Sequence, residues 1–140
     1  MADLLHHVCV PVADPDDARR TCLALRKYGP ESVVAVHVIE KAGGAVDKAS
    51  VEQLEERAAE IFAAVDDCLA EVPVETDLRY GTDVTESIFE AAADHDASAI
   101  VFSPRSGSRW VRLLTGDVAL DLVTDTDRPV IVLPDADGND

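Results

Sequence analysis

The beginning of the fold can be read in residues 5–15, LHHVCVPVADP. Within this stretch, residues 8–12 form an almost continuous apolar run, as a β-strand requires when both faces of its sheet are covered. Asp14 and Pro15 follow closely, and these residue types suit the N-cap and the first position of an α-helix. The stretch therefore predicts a buried strand over about residues 5–12 that leads directly into a helix.

The same alternation of short apolar runs and helical patterns continues through the chain. Further strands are predicted near residues 32–39, 74–80, 99–102 and 130–133. Strands that alternate with helices predict a parallel sheet with helices on both faces. Residues 74–80 alternate between apolar and polar types, which indicates an edge position for that strand or one face exposed to solvent. We therefore expect one α/β domain over residues 1–134, followed by a polar, acidic tail at residues 135–140.

The charge balance excludes some classes of partner. Twelve basic residues stand against 28 acidic ones, which gives a net charge of −16. Such a surface repels phosphate backbones and anionic membranes, so we expect neither nucleic acid nor membrane as a partner. An acid-rich, lysine-poor composition favours a halophilic protein, in which concentrated salt screens the self-repulsion; an acidic protein from ordinary salt is the alternative. With no signal peptide and no long apolar run, we expect a cytoplasmic protein.

The cysteines and histidines give no sign of a disulfide or a metal site. The three cysteines form no close pair, so buried free thiols in a reduced compartment are expected. His6 and His7 are adjacent and would lie on opposite faces of a strand. Neither His37 nor His95 has a second ligand at helical or turn spacing. We therefore predict no metal site.

The loop after the fourth predicted strand is the strongest candidate for chemistry. Residues 103–112 read SPRSGSRWVR and hold three arginines and three serines. In a chain of such negative charge, this cluster indicates an anion site close to the start of a helix. The alternative is a solvated loop whose arginines pair with nearby carboxylates.

Several segments give the chain a family resemblance over nearly its full length. The most specific are RLLTGDVA at residues 112–119 and RPVIV at residues 128–132, and AAADHDASAIV at residues 91–101 adds to them. With these segments the chain resembles the universal stress protein A family. The resemblance implies a flavodoxin-like or Rossmann-like domain with strand order 3-2-1-4-5. It also implies a homodimer formed through the last strand, whose residues are Val130, Ile131, Val132 and Leu133.

Many members of that family bind ATP through a G-x2-G-x9-G-[S/T] pattern, and this chain keeps the spacing but changes residues. Ser103 and Ser106 stand at the first two glycine positions, Gly116 fits the third, and Asp117 replaces Ser or Thr. After the first strand, Ala13 stands where ATP-binding members carry an aspartate. The implied crevice comprises Ala13, Asp14, Val38, Ser103, Arg105, Ser106, Gly107, Ser108, Gly116, Asp117 and Val118.

The resemblance leaves three functional hypotheses. The leading one is a non-catalytic stress-response or signalling module with a degenerate nucleotide-binding loop and no assured cofactor. The second is a sensor or slow ATPase that binds ATP or another adenine nucleotide with Mg²⁺, using Gly107 and the hydroxyls of Ser106 and Ser108. The third is a regulatory partner of another protein, such as a transporter, with Trp110 as a contact anchor. No nucleophile–base pair is evident in the sequence, so we do not expect an enzyme.

Overall fold

A computed structural model of the chain describes residues 3–40, 48–103, 124 and 126–134. The described elements alternate as the sequence predicts. In chain order they are β1 (Val8–Pro11), α1 (Pro15–Arg26), β2 (Val33–Glu40), α2 (Lys48–Cys68), β3 (Val74–Gly81), α3 (Val84–Asp94), β4 (Ala99–Phe102) and β5 (Val130–Val132). Residues 104–112 of the predicted loop, the start of the helix expected after it, and the tail lie outside the described residues.

The five strands form one parallel sheet in the order β3-β2-β1-β4-β5. This order confirms the predicted fold class, and β3 lies at an edge as its alternating pattern predicts. The register places Val8 of β1 opposite Val33 of β2 and Ala99 of β4, and it places Val33 opposite Val74 of β3. The amino ends of β1, β2, β3 and β4 are therefore level along one edge of the sheet.

Helices cover both faces of the sheet, which is why β1 and β4 are apolar throughout. Val8 and Val10 of β1 belong to a core with buried residues of α1 and α2, such as Leu25 and Ile61. Cys9 points the other way, into a second core with residues of α3. Because successive side chains of a strand face opposite sides, a two-sided core demands an unbroken apolar run.

The amino end of β1 differs from the sequence-based boundary. The apolar pattern predicts a strand from about residue 5, whereas β1 begins at Val8. The Asp3 carboxylate accepts the N–H of Leu5 at 3.0 Å, and the carbonyl of Asp3 accepts the N–H of His6 at 3.2 Å. These local bonds close a turn before the strand can start.

A helix that crosses a bilayer needs about 20 consecutive, mostly apolar residues. Among the helices within the described ranges, none combines the length and the apolar character that a membrane crossing needs.

Candidate functional site

The direction of the chain connections reverses beside β1. From β1 the chain proceeds to β2 and β3 on one side, and it returns to β4 and β5 on the other. In open parallel α/β sheets, ligands bind beyond the carboxyl ends of the strands at such a reversal. The residues that follow β1 and β4 therefore define the candidate crevice.

Ala13 and Asp14 follow β1, and both are engaged within the protein. Ala13 is buried, and its N–H donates to Oδ2 of Asp17 at 2.9 Å. Asp14 is the N-cap of α1, as its position before Pro15 predicts, and its Oδ1 accepts the N–H of Asp17 at 2.7 Å. Asp17 itself is only 2% exposed. The end of β1 thus presents a closed set of hydrogen bonds around a buried carboxylate.

Ser103 follows β4 and is also engaged. Its side chain is 1% exposed, and its hydroxyl donates to the carbonyl of Leu133 at 3.0 Å. The N–H of Leu133 donates in turn to the carbonyl of Phe102 at 2.9 Å. The beginning of the loop after β4 is therefore joined to the end of β5.

The remaining crevice residues divide between β2 and the undescribed segments. Val38 of β2 is half-buried and packs against the core beneath α3. Its neighbour His37 is buried, and Nδ1 of its ring lies 2.8 Å from the carbonyl of Val12. The other predicted site residues lie outside the described residues; they are Arg105, Ser106, Gly107, Ser108, Gly116, Asp117 and Val118.

Two of the three described thiols, Cys9 and Cys22, are not poised as nucleophiles. The cysteines Cys9, Cys22 and Cys68 are free; Cys9 and Cys22 are buried as expected, whereas Cys68 is only partly buried. Burial raises the pKa of Cys9 to about 12, and burial likewise raises the pKa of Cys22 to about 12. At neutral pH both are protonated thiols, and a protonated thiol is a poor nucleophile.

A second cluster of polar side chains lies at the opposite edge of the sheet. There His7, Glu75 and His95 approach one another, and one potential ligand atom from each lies within 4.8 Å of those of the other two. Sequence reasoning missed this cluster because it considered spacing along the chain only. The signal that could have found it is the register, which aligns the amino ends of β1 and β3 through β2.

Comparisons with known proteins agree with this architecture. A model of the universal stress protein family matches residues 5–134. The fold resembles a universal stress protein from Archaeoglobus fulgidus in complex with dAMP, with a TM-score of 0.65 and 20% identity over 94% of this chain and 99% of that one. It also resembles the universal stress protein UspA from Lactobacillus plantarum, with a TM-score of 0.67 and 19% identity over 94% and 99%.

A third solved structure is a universal stress protein in complex with cAMP. It matches with a TM-score of 0.59 and 14% identity, over 93% of this chain and 97% of that one. Comparison with curated proteins finds no match.

The strand order and the reversal beside β1 define a parallel α/β protein, the class of fold in which ligands bind at the carboxyl edge of the sheet. The family model covers nearly all of the sequence. The chain belongs to the universal stress protein family.

Proposed function

We propose that this chain is a non-catalytic stress-response or signalling module with a degenerate nucleotide crevice. This proposal rests on one observation: the polar groups that follow β1 and β4 already form hydrogen bonds within the protein. The N–H of Ala13, the carboxylate of Asp14 and the hydroxyl of Ser103 each have a partner within the protein. A nucleotide that used these groups would have to replace existing hydrogen bonds rather than satisfy free ones.

Electrostatics at the start of α1 add to this argument. A helix N-terminus attracts anions through its free N–H groups and its dipole. Here Asp14 caps the helix, and Asp16 and Asp17 occupy its first turn. Carboxylates therefore occupy the start of this helix, and a phosphate placed there would meet like charge.

An adenine-nucleotide sensor is the second candidate function. Two proteins of similar fold are described as complexes with dAMP and with cAMP. The strand order that forms the crevice is also present in this chain. This candidate would place the base near Val38 and the phosphates on the loop after β4, outside the described residues.

Calorimetry distinguishes the two candidates. We expect titration of ATP with Mg²⁺ in concentrated KCl to give no saturable heat up to about 1 mM nucleotide, because the described polar groups after β1 and β4 are already paired. The protein is first checked by mass spectrometry for a carried-over nucleotide, and dAMP and cAMP are titrated alongside. Micromolar affinity for any of the three, or a co-purified nucleotide, would establish the sensor instead.

We further propose that the chain is a homodimer through β5. This strand forms one edge of the sheet, and Val132 is 52% exposed. An apolar groove beside it is lined in part by Leu4, Tyr28 and Pro134. An apolar edge strand invites pairing with another strand, and a twofold-related copy would cover both the edge and the groove.

Proline substitution tests this interface without disturbing the sheet of one protomer. The N–H groups of Ile131 and Leu133 face β4 in the parallel ladder, since Leu133 donates to Phe102, so the N–H of Val132 faces outward. We expect Val132→Pro to change the mass measured by light scattering from that of two chains to that of one.

The matched control for this prediction lies at the opposite edge. Val33 donates to Pro73, so the ladder turns the N–H of Thr76 in β3 outward as well. Thr76→Pro therefore creates a comparable local strain without touching β5, and it should leave the mass unchanged. The β5 dimer would be refuted by a Val132→Pro protein that still has the mass of two chains.

The acidic surface supports one more element of the proposal, an adaptation to concentrated salt. A nine-residue segment of α2 contains four exposed glutamates, Glu52, Glu55, Glu56 and Glu60. A surface of this kind is less self-repelling when ions screen it.

A further inference from the structure

The cluster of His7, Glu75 and His95 lies at the amino edge of the sheet, opposite the nucleotide crevice. His7 directly precedes β1, Glu75 is the second residue of β3, and His95 caps the carboxyl end of α3. Glu75 is exposed, and the two imidazoles are partly buried. Three separate elements therefore bring nitrogen and oxygen ligands to one place.

The hydrogen bonds of His7 fix which ring nitrogen is available. Nδ1 of His7 lies 2.6 Å from Oγ of Ser32. The Ser32 hydroxyl donates its own proton to the carbonyl of His6 at 3.1 Å, so it accepts the Nδ1–H of His7. The lone pair of the neutral ring is then on Nε2, which is the atom that a metal ion would bind.

His95 is oriented in the same manner by a carboxylate. Its Nε2 lies 2.8 Å from Oδ2 of Asp77, to which it donates. Asp77 is also held by Arg79, at 2.8 Å and 3.1 Å, and Arg79 reaches Asp94 at 2.8 Å. A carboxylate on the outer nitrogen is the usual support of a metal-binding histidine.

The turn that carries His95 is itself held in place. Nη1 of Arg128 donates to the carbonyls of Ala92 at 3.0 Å and Ala97 at 2.9 Å, which lie on either side of His95 in the chain. The N–H of His95 donates to the carbonyl of Ala91. The position of the imidazole is thus set before any ligand arrives, which lowers the cost of binding.

The distance between ligand atoms fits an ion better than a hydrogen bond. Nδ1 of His95 lies 3.8 Å from Oε2 of Glu75, too far for a hydrogen bond. Ligands bound to Zn²⁺ at about 2.0–2.2 Å in a tetrahedron stand about 3.3 Å apart. A small rotation of the exposed Glu75 side chain would close this difference.

We propose that His7, Glu75 and His95 form a binding site for Zn²⁺ or a similar divalent transition-metal ion. The ligands are Nε2 of His7, Nδ1 of His95 and a carboxylate oxygen of Glu75, with the fourth position left to water. Two imidazole ligands select against Mg²⁺ and Ca²⁺, which prefer oxygen. An ion at this site joins the starts of β1 and β3 to the end of α3, independently of what the crevice binds.

Calorimetry with Zn²⁺ on the full chain, freed of metal by a chelator, tests the site. We expect one site per chain with micromolar or tighter affinity, and tetrahedral Co²⁺ absorption bands when Co²⁺ replaces Zn²⁺. The variants His7→Ala, His95→Ala and Glu75→Gln should each weaken Zn²⁺ binding at least tenfold. Weak, non-saturating binding to the acidic surface remains equal in all of them.

Two variants serve as controls. His6→Ala removes the neighbouring exposed imidazole, which lies 3.4 Å from Glu31 instead, and Glu90→Gln removes an exposed carboxylate of α3. Both should bind Zn²⁺ within twofold of the parent chain. Glu75→Gln removes no buried contact, so it remains informative if a histidine variant fails to fold. The proposal is overturned if the parent lacks the single site, or if His7→Ala or Glu75→Gln retains it. His95 would then serve only its hydrogen bond with Asp77.

Discussion

Replacing Phe102 by alanine is expected to lower the free energy of unfolding by about 3–5 kcal/mol. Phe102 is the last residue of β4, is 1% exposed, and packs in the core between the sheet and α3. Its neighbours there include Val36 and Ile88, which belong to two other elements and cannot collapse together into the space that the ring leaves. Urea unfolding in concentrated KCl measures the loss as a lower midpoint at an unchanged slope.

The size of this effect separates a packed core from a loose one. Phe102→Leu keeps most of the apolar volume and should cost less than about 1.5 kcal/mol. Phe89→Ala removes a ring of the same size from α3 that is only partly buried, so its cost should fall clearly below that of Phe102→Ala. Equal costs for the two alanine variants would show that the carboxyl end of β4 is not packed as described.

Much of the fold could be predicted from the sequence because it depends on local chemistry. The apolar runs of β1 and β4 predict strands covered on both faces, and Asp14 indicates the start of α1. The alternating pattern of β3 indicates an edge strand. The strand order was implied by the family resemblance, and the structure confirms it.

The polar partners could not be predicted, because they join residues far apart in the chain. The hydroxyl of Ser103 reaches the carbonyl of Leu133, thirty residues away. Asp17 reads in the sequence as a helix-start acid, yet its side chain is buried and accepts the N–H of Ala13. Both groups look available to a ligand until the packing is known.

The amino-edge cluster shows the same limit more strongly. His7 and His95 are 88 positions apart in the sequence. What brings them together is the parallel register of β1 with its neighbours and the return of α3 over the sheet. A spacing rule for metal ligands applies within one helix or turn and does not detect ligands assembled by a sheet.

Lowering the salt concentration is expected to abolish the cooperative thermal unfolding of this chain. Between about 1 M and about 0.1 M KCl, the Debye length grows from about 3 Å to about 10 Å, so exposed charges begin to act on one another. Because the net charge is −16, the interaction between exposed charges is mainly repulsive, and the repulsion is strongest in the compact folded state. Calorimetric scans over this range should show a falling midpoint and then no transition.

The exposed glutamates of α2 should account for a measurable part of this salt dependence. Glu52, Glu56 and Glu60 follow one another at intervals of four, where like charges on a helix destabilise it by about 0.2–0.5 kcal/mol per pair. Glu56→Lys converts two repulsive pairs into attractive ones, so the variant should keep its cooperative transition at lower salt than the parent chain. Glu71→Lys makes the same change in net charge in the turn beyond α2, and its effect should be smaller because it has no such pairs within the helix.

Sucrose in place of KCl separates screening from general solute exclusion, since it should not rescue the fold at low salt. A midpoint that stays constant from about 1 M to about 0.1 M KCl would show that the acidic surface carries no dependence on salt.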